Sequence, residues 1–181
     1  MKLFIILGGR SMGNKNFVVR KALKEDISDM LRITKEAFGS YRESAGILSD
    51  IPALSDTYEF IEKEIENKLC LVAIIDGNLV GSLRLEIKED GSAYLSRFGV
   101  DSSCQGNGVG AKLMDAVDEQ MKKLGVTKLY LHTASKVFTL IRFYYGKGFY
   151  IDSTTKDRGY IRALLCKEYE KAAEDYSSCA V

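Results

Sequence analysis

Between positions 100 and 110 the chain reads Val-Asp-Ser-Ser-Cys-Gln-Gly-Asn-Gly-Val-Gly, so that Gly106, Gly108 and Gly110 fall within five residues. The stretch 93–100 ahead of it has the make-up of a strand. Behind it, Val109, Leu113, Val117, Met121 and Leu124 recur on one face of a helix that Gly125 ends, and 128–132 reads as another strand. Strand, amphipathic helix and strand in that order imply a locally parallel crossover. A helix opened by glycines also exposes unpaired main-chain N–H groups at its positive end. Such donors suit an anionic group such as a pyrophosphate, and the missing Cβ atoms let it approach the main chain.

The rest of the chain fits an α+β protein around this unit. A strand is expected at 17–22. A helix follows in which Asp26 is an N-cap or first-turn acid ahead of Ile27, Met30, Leu31, Ile33, Thr34 and Ala37. Residues 39–55 carry glycine, serine and Pro52, the single proline, and read as a loop. Tyr58, Ile61, Ile65 and Leu69 continue a helical stripe. The runs 70–75 and 79–87, joined by Asp76-Gly77-Asn78, form a hairpin. A short helix at 136–146 and a second hairpin, 149–154 with 160–166, close the domain. At about 100–200 residues per domain, 181 residues make one. We read 16–176 as that domain, 1–15 as a leader or an extra N-terminal segment, and 177–181 as a tail.

Two familiar phosphate loops fail against the glycine segment. The G-x-x-x-x-G-K-[ST] pattern is absent. Gly106, Gly108 and Ala111 match G-x-G-x-x-[GA], but that loop needs an acidic residue at the end of the next strand, and no Asp or Glu occurs from Met121 to Ile151. The same window holds Lys122, Lys123, Lys128, Lys136, Arg142 and Lys147, a bias that favours a ligand with several phosphates. Overall charge is balanced, with 26 basic against 25 acidic residues, which argues against a dedicated nucleic-acid or membrane-surface binder. Cys70, Cys104, Cys166 and Cys179 show no C-x-x-C spacing, and a single histidine does not complete a His/Cys zinc site, so no metal is expected. Scattered thiols and an N-terminal apolar run of five residues, too short for a signal segment, point to a cytoplasmic protein.

Gln105-Gly106-Asn107-Gly108-Val109-Gly110 resembles the Q/R-x-x-G-x-G/A signature of the GNAT superfamily of acetyl-CoA-dependent N-acetyltransferases. Tyr94 to Val100 looks like that family's central strand, and Phe143-Tyr144-Tyr145-Gly146-Lys147-Gly148-Phe149 resembles its F-Y-x-x-x-G-F box. The similarity spans about 17 to 169. It implies a mixed, mostly antiparallel sheet of six to seven strands with about four helices, in which the central strand and its parallel neighbour splay apart. It implies transfer of an acetyl group from acetyl-CoA to a primary amine, with Phe98, Gly99 and Val100 pairing the pantetheine arm. Gln105, Gly106, Asn107, Gly108, Val109 and Gly110 would hold the pyrophosphate. Main-chain N–H near Phe98 would stabilise the oxyanion, and Tyr144 would protonate the departing sulfur.

The resemblance leaves the general base open between Glu86, His132 and a water chain. The family's asparagine seven residues before the tyrosine is Val137 here, and its alanine four before is Leu140, so a side-chain contact to the cofactor is lost. The acceptor, expected to be a small-molecule amine, should meet 39–55, with Tyr41, Arg42 and Glu43 as lining candidates, and the closing hairpin near Arg158 and Tyr160. Arg42, Arg97 and Arg158 hint at an acceptor bearing a carboxylate or phosphate. A non-catalytic CoA-binding or sensing module and a peptide or protein N-terminal acetyltransferase stand as alternatives. Dimers are common in proteins of this kind, which leaves a homodimer open.

Overall fold

The computed structural model describes residues 16–170. The expected leader 1–15, the far end of the domain, the tail 177–181 and Cys179 lie outside the described residues. Seven strands form one sheet: β1 (Phe17–Lys21), β2 (Leu69–Ile75), β3 (Asn78–Ile87), β4 (Ser92–Val100), β5 (Lys128–Ala134), β6 (Tyr150–Thr155) and β7 (Arg162–Glu168). Four helices accompany them: α1 (Ile27–Ser44), α2 (Tyr58–Asn67), α3 (Val109–Lys123) and α4 (Phe138–Gly146). The order across the sheet is β1-β2-β3-β4-β5-β7-β6, and every neighbouring pair is antiparallel except β4 with β5. This is the mixed, mostly antiparallel α+β architecture expected from the sequence.

Apolar side chains cover both faces. Alternation along β2 sends Leu71 and Ala73 to one face, beneath Val109, Leu113, Val117 and Met121 of α3. Cys70 and Val72 go to the other, beneath Ile27, Met30 and Ile33 of α1 and Ile61 of α2. Two glycines permit this close sandwich. A Cβ on Gly81 would lie 2.9 Å from Leu113 Cδ1, and one on Gly99 would lie 3.1 Å from Ala37 Cβ and 3.2 Å from Ile33 Cγ2.

Two expectations need correction and a third needs refinement. Residues 39–44 are not loop but the last turns of α1, and Pro52–Ser55 forms a 3₁₀ turn. The cost of Gly39 inside a helix, about 1 kcal/mol against alanine, is offset by tertiary anchoring. Phe38 and Tyr41 pack on the small cluster of Ile47, Ile51 and Ala53, and the Tyr41 hydroxyl accepts the Ala134 N–H at 2.7 Å. Asp26 holds the N-cap position of α1 and the first turn of the short 3₁₀ helix before it, as expected, but makes no cap bond to α1; it is pulled into a two-pronged ion pair with Arg20 (2.6 and 2.9 Å) and accepts the Leu23 N–H at 2.7 Å. Leu69, read as the end of a helical stripe, opens β2 instead.

Candidate active site

The parallel contact between β4 and β5 is short: Ser92 opposes Lys128, Ala93 opposes Leu129 and Tyr94 opposes Tyr130, and there the pairing stops. The cause lies on the other side of β4. Ser82 of β3 opposes Gly99 while Arg84 opposes Ser96, so Arg97 and Phe98 together stand against Leu83 alone. This bulge puts Arg97 in the left-handed region, at φ 53°. It turns the second half of β4 away from β5 and opens a cleft between them.

The cleft belongs to a cavity of about 760 Å³ lined on one bank by Tyr94 to Val100 and on the other by Leu131, His132 and Thr133. Gln105, Gly106, Gly108, Gly110 and Ala111 line it at the start of α3, and Val137, Thr139, Leu140, Phe143 and Tyr144 at α4. Ala37, Phe38, Ser40, Tyr41 and Ser44 of α1, with Ile51, Pro52 and Ala53, complete it together with Arg158, Tyr160 and Arg162.

The glycine segment folds as an anion cradle should. Gly106 and Gly108 are left-handed (φ 77° and 79°), and a Cβ on either would meet no neighbouring atom, so conformation and not crowding asks for glycine there. The first intrahelical bond of α3 runs from the Lys112 N–H to the Gly108 carbonyl. Among the described residues the N–H groups of Gly108, Val109, Gly110 and Ala111 find no main-chain acceptor. Four donors thus stand at the positive end of a 15-residue helix. These residues fit a bound diphosphate.

Of the residues singled out from the sequence, Phe98, Gly99, Val100, Gln105, Gly106, Gly108, Gly110 and Tyr144 line the cavity. Asn107 and Val109 do not. Val109 is in the core beneath the sheet and Asn107 is exposed. Gly99 carries a second constraint, since its missing Cβ makes room for α1. Of the acceptor candidates, Tyr41, Arg158 and Tyr160 line the cavity but Arg42 and Glu43 do not. On a helix, 37, 41 and 44 share a face while 42 and 43 turn away, and Arg42 Nε donates instead to the Ile47 carbonyl at 3.3 Å. Glu86 is also elsewhere: it is paired with Lys68 at 3.2 Å on the exposed end of β3.

Tyr144 is held by edge-on contacts with Phe143 and Phe149, at ring separations of 5.2 and 5.6 Å. Among the described residues its hydroxyl makes no hydrogen bond. Burial drives its pKa far above that of an ordinary phenol, with Tyr41 and Tyr94 pushing the same way, so it keeps its proton. Across the cleft, Tyr94 Oη and His132 Nδ1 lie 2.8 Å apart. Burial lowers the His132 pKa, Arg162 and Arg158 lower it further, and Asp157 opposes them, so the ring is neutral at pH 7.

A group not foreseen from the sequence supports the bulge. Asp56, buried just beyond the 3₁₀ turn, accepts from Arg97 Nε and Nη2 (3.0 and 2.9 Å) and from Arg84 Nη2 (2.9 Å). Arg84 alternates along β3 with the apolar Leu83 and Leu85, a position where a charged side chain would ordinarily meet solvent. It is in fact 1% exposed, stacked 5.7 Å from the Phe60 ring of α2.

The Acetyltransferase (GNAT) family model matches residues 29–149. No curated protein matches the sequence. Among solved structures, the PaiA N-acetyltransferase from Thermoplasma acidophilum in complex with coenzyme A superimposes with a TM-score of 0.74 at 24% identity, over 85% of this chain and 99% of that one. A ribosomal-protein-alanine N-acetyltransferase from Brucella melitensis gives 0.69 at 21% identity, over 84% and 99%. Ard1 from Thermoplasma volcanium gives 0.70 at 20%, over 86% and 99%. At these identities the likenesses speak to the fold. Among the described residues no helix is long and apolar enough to cross a membrane.

Proposed function

The chain belongs to the GNAT acetyltransferase family and is therefore an acyltransferase, and on that premise we propose that it moves the acetyl group of acetyl-CoA onto a primary amine of a small molecule. The reading rests on one observation above the others. Gly108, Gly110 and Ala111 at the opening of α3, both banks of the cleft between β4 and β5, and Tyr144 all line a single cavity. We read 16–176 as the domain that carries the activity.

Acetyl-CoA would supply an acetyl group already activated as a thioester. The amides of 108–111 would hold its diphosphate, with Gly106 and Gly108 shaping the bend. The freed edge of β4 from Phe98 to Val100 would align the pantetheine arm, and main-chain N–H near Phe98 would donate to the thioester oxygen as charge gathers there. Because the cavity holds both reactants, most of the acceleration would come from positioning. Tyr144, protonated at any working pH, would donate to the leaving sulfur. An ordinary thiol has a pKa of about 8.5, so modest help suffices. A primary ammonium must first lose a proton. Among the described residues lining the cavity no carboxylate is present, and His132, neutral and backed by Tyr94, is the group able to receive that proton, directly or through water.

The acceptor side favours a small molecule over a peptide. Ser49 Oγ donates to the Arg158 carbonyl at 3.0 Å, tying the segment after α1 to the turn between β6 and β7 across that side. Release of CoA thiol with a panel of amines and N-terminal peptides tests this. Small amines should be acetylated and peptides should not; turnover of peptides alone would reverse the assignment. In the same assay Tyr144→Phe should lower kcat by about 10- to 100-fold with little change in CoA affinity. Equal rates would remove its role, and CoA binding without thiol release from any amine would make the protein a CoA-binding module.

A further inference from the structure

The charges that face the cavity are of one sign. Arg97, Arg158 and Arg162 line it, and among the described residues no aspartate or glutamate does. The arginines differ in what they already hold. Arg97 is bound by Asp56, a carboxylate it shares with Arg84, and Arg162 is clasped by Asp157 through Nε (3.1 Å) and Nη2 (2.5 Å). Arg158 makes no ion pair among the described residues. Its guanidinium is thus uncompensated at the wall of a cavity that a charged acceptor would enter.

Its position separates it from the cofactor cradle. The glycine bend follows β4 and opens α3. Arg158 sits on the turn between β6 and β7, tied through its own carbonyl to Ser49, with Tyr160 two residues on packed against Ile47, Ile51 and Ala53. Arg162 opposes Ala134 at the end of β5, two residues beyond His132. The field of these groups reaches the centre of the cleft: Arg162, Arg158 and Arg97 all favour the ionised form of Tyr94, although burial of that phenol outweighs them.

We propose that the acceptor is an amine carrying its own oxyanion, a carboxylate or a phosphate, and that Arg158 grips that oxyanion and so aims the amine at the cleft. This rests on the acetyl-transfer reading above. A guanidinium fork matches both oxyanions in shape and charge. A diamine or polyamine would bring a second ammonium to a wall with no carboxylate to meet it. At about 4 Å that contact is repulsive even in water and several-fold more so beside protein.

Matched acceptors test the inference. Initial rates of CoA release are measured with phenylalanine, phenylalaninamide and phenethylamine, with phosphoethanolamine against ethanolamine, and with spermidine. Each oxyanion-bearing amine is compared with its neutral twin, and the two sets show whether carboxylate or phosphate is preferred. At least one oxyanion-bearing amine should exceed its twin in kcat/KM by about tenfold or more, as a charge-assisted hydrogen bond allows. Arg158→Ala should collapse that ratio towards one, mainly through KM, and Arg158→Lys should restore part of it. Neutral twins or spermidine equal to or better than the anionic amines would overturn the inference. So would an Arg158→Ala protein that loses CoA affinity while keeping the acceptor ratio, since Arg158 would then serve the cofactor. Calorimetry with CoA-saturated protein titrated with the same pairs scores the oxyanion preference even if no amine is turned over. Failure of transfer and failure of anion recognition are thereby told apart.

Discussion

Asp56 shows how one carboxylate can carry both stability and geometry. It is the shared partner of two guanidiniums, one of them fully buried and with its Nε and Nη1 otherwise unbonded. Asp56→Ala would leave buried Arg84 with Glu64, 3.6 Å away, as its remaining counter-charge between the sheet and α2, and urea denaturation should show a loss of about 3–5 kcal/mol. Neither Asp56 nor Arg84 was legible as a pair, because they stand 28 positions apart and nothing in strand alternation reveals that α2 roofs over Arg84. Tyr144, by contrast, was legible, since a short aromatic box carries its own spacing. His132 gives a prediction with a definite sign. Its pKa is lowered in the folded protein, so below the ordinary value of about 6.5 the unfolded chain takes up more protons than the native one. Its contribution to stability is therefore complete above that value and falls as pH drops towards the folded pKa. Thermal melts across pH 5 to 7.5 should show this slope, and His132→Gln should flatten it.

At the level of elements, the strands and the glycine-led helix follow from local pattern, whereas the reach of α1 does not. A glycine at 39 and a serine-rich neighbourhood argue for a loop, and only the distant Ala134 amide and the Ile47–Ile51–Ala53 cluster explain why the helix persists through Ser44. Tyr41→Phe should therefore cost about 1–3 kcal/mol by stranding a half-buried amide, readable in a thermal melt. The contact of α1 with β4 is equally exacting. Gly99→Val would drive a branched side chain into Ile33 and Ala37, where even a single Cβ is already tight. We expect a loss of at least about 1–3 kcal/mol, accompanied by weaker CoA binding, because α1 must shift and it walls the cavity.

For the whole molecule, a site built from four segments far apart in sequence predicts that a ligand stabilises the native state and not the unfolded chain. CoA at about 100 times its Kd should add about 2.7 kcal/mol, seen as a rise in melting temperature that an analogue lacking the diphosphate does not reproduce. The fold class and the glycine-led opening of α3 could be read before any coordinates because their signals lie in contiguous runs. The opposite wall of the cavity could be read in part: 39–55 and the last hairpin are legible as its source, with Tyr41, Arg158 and Tyr160, but contiguous pattern is silent about which side chains converge, and Arg42 and Glu43 turn away. The brief partnership of β4 and β5 has one more implication. Three opposed pairs are all the strand pairing that stitches the first four strands to the last three, so the sheet is two panels joined along a narrow hinge. A strand-like pantetheine seated in the gap would act as the missing rung between the panels. Deuterium uptake on both banks should then slow together when CoA is added.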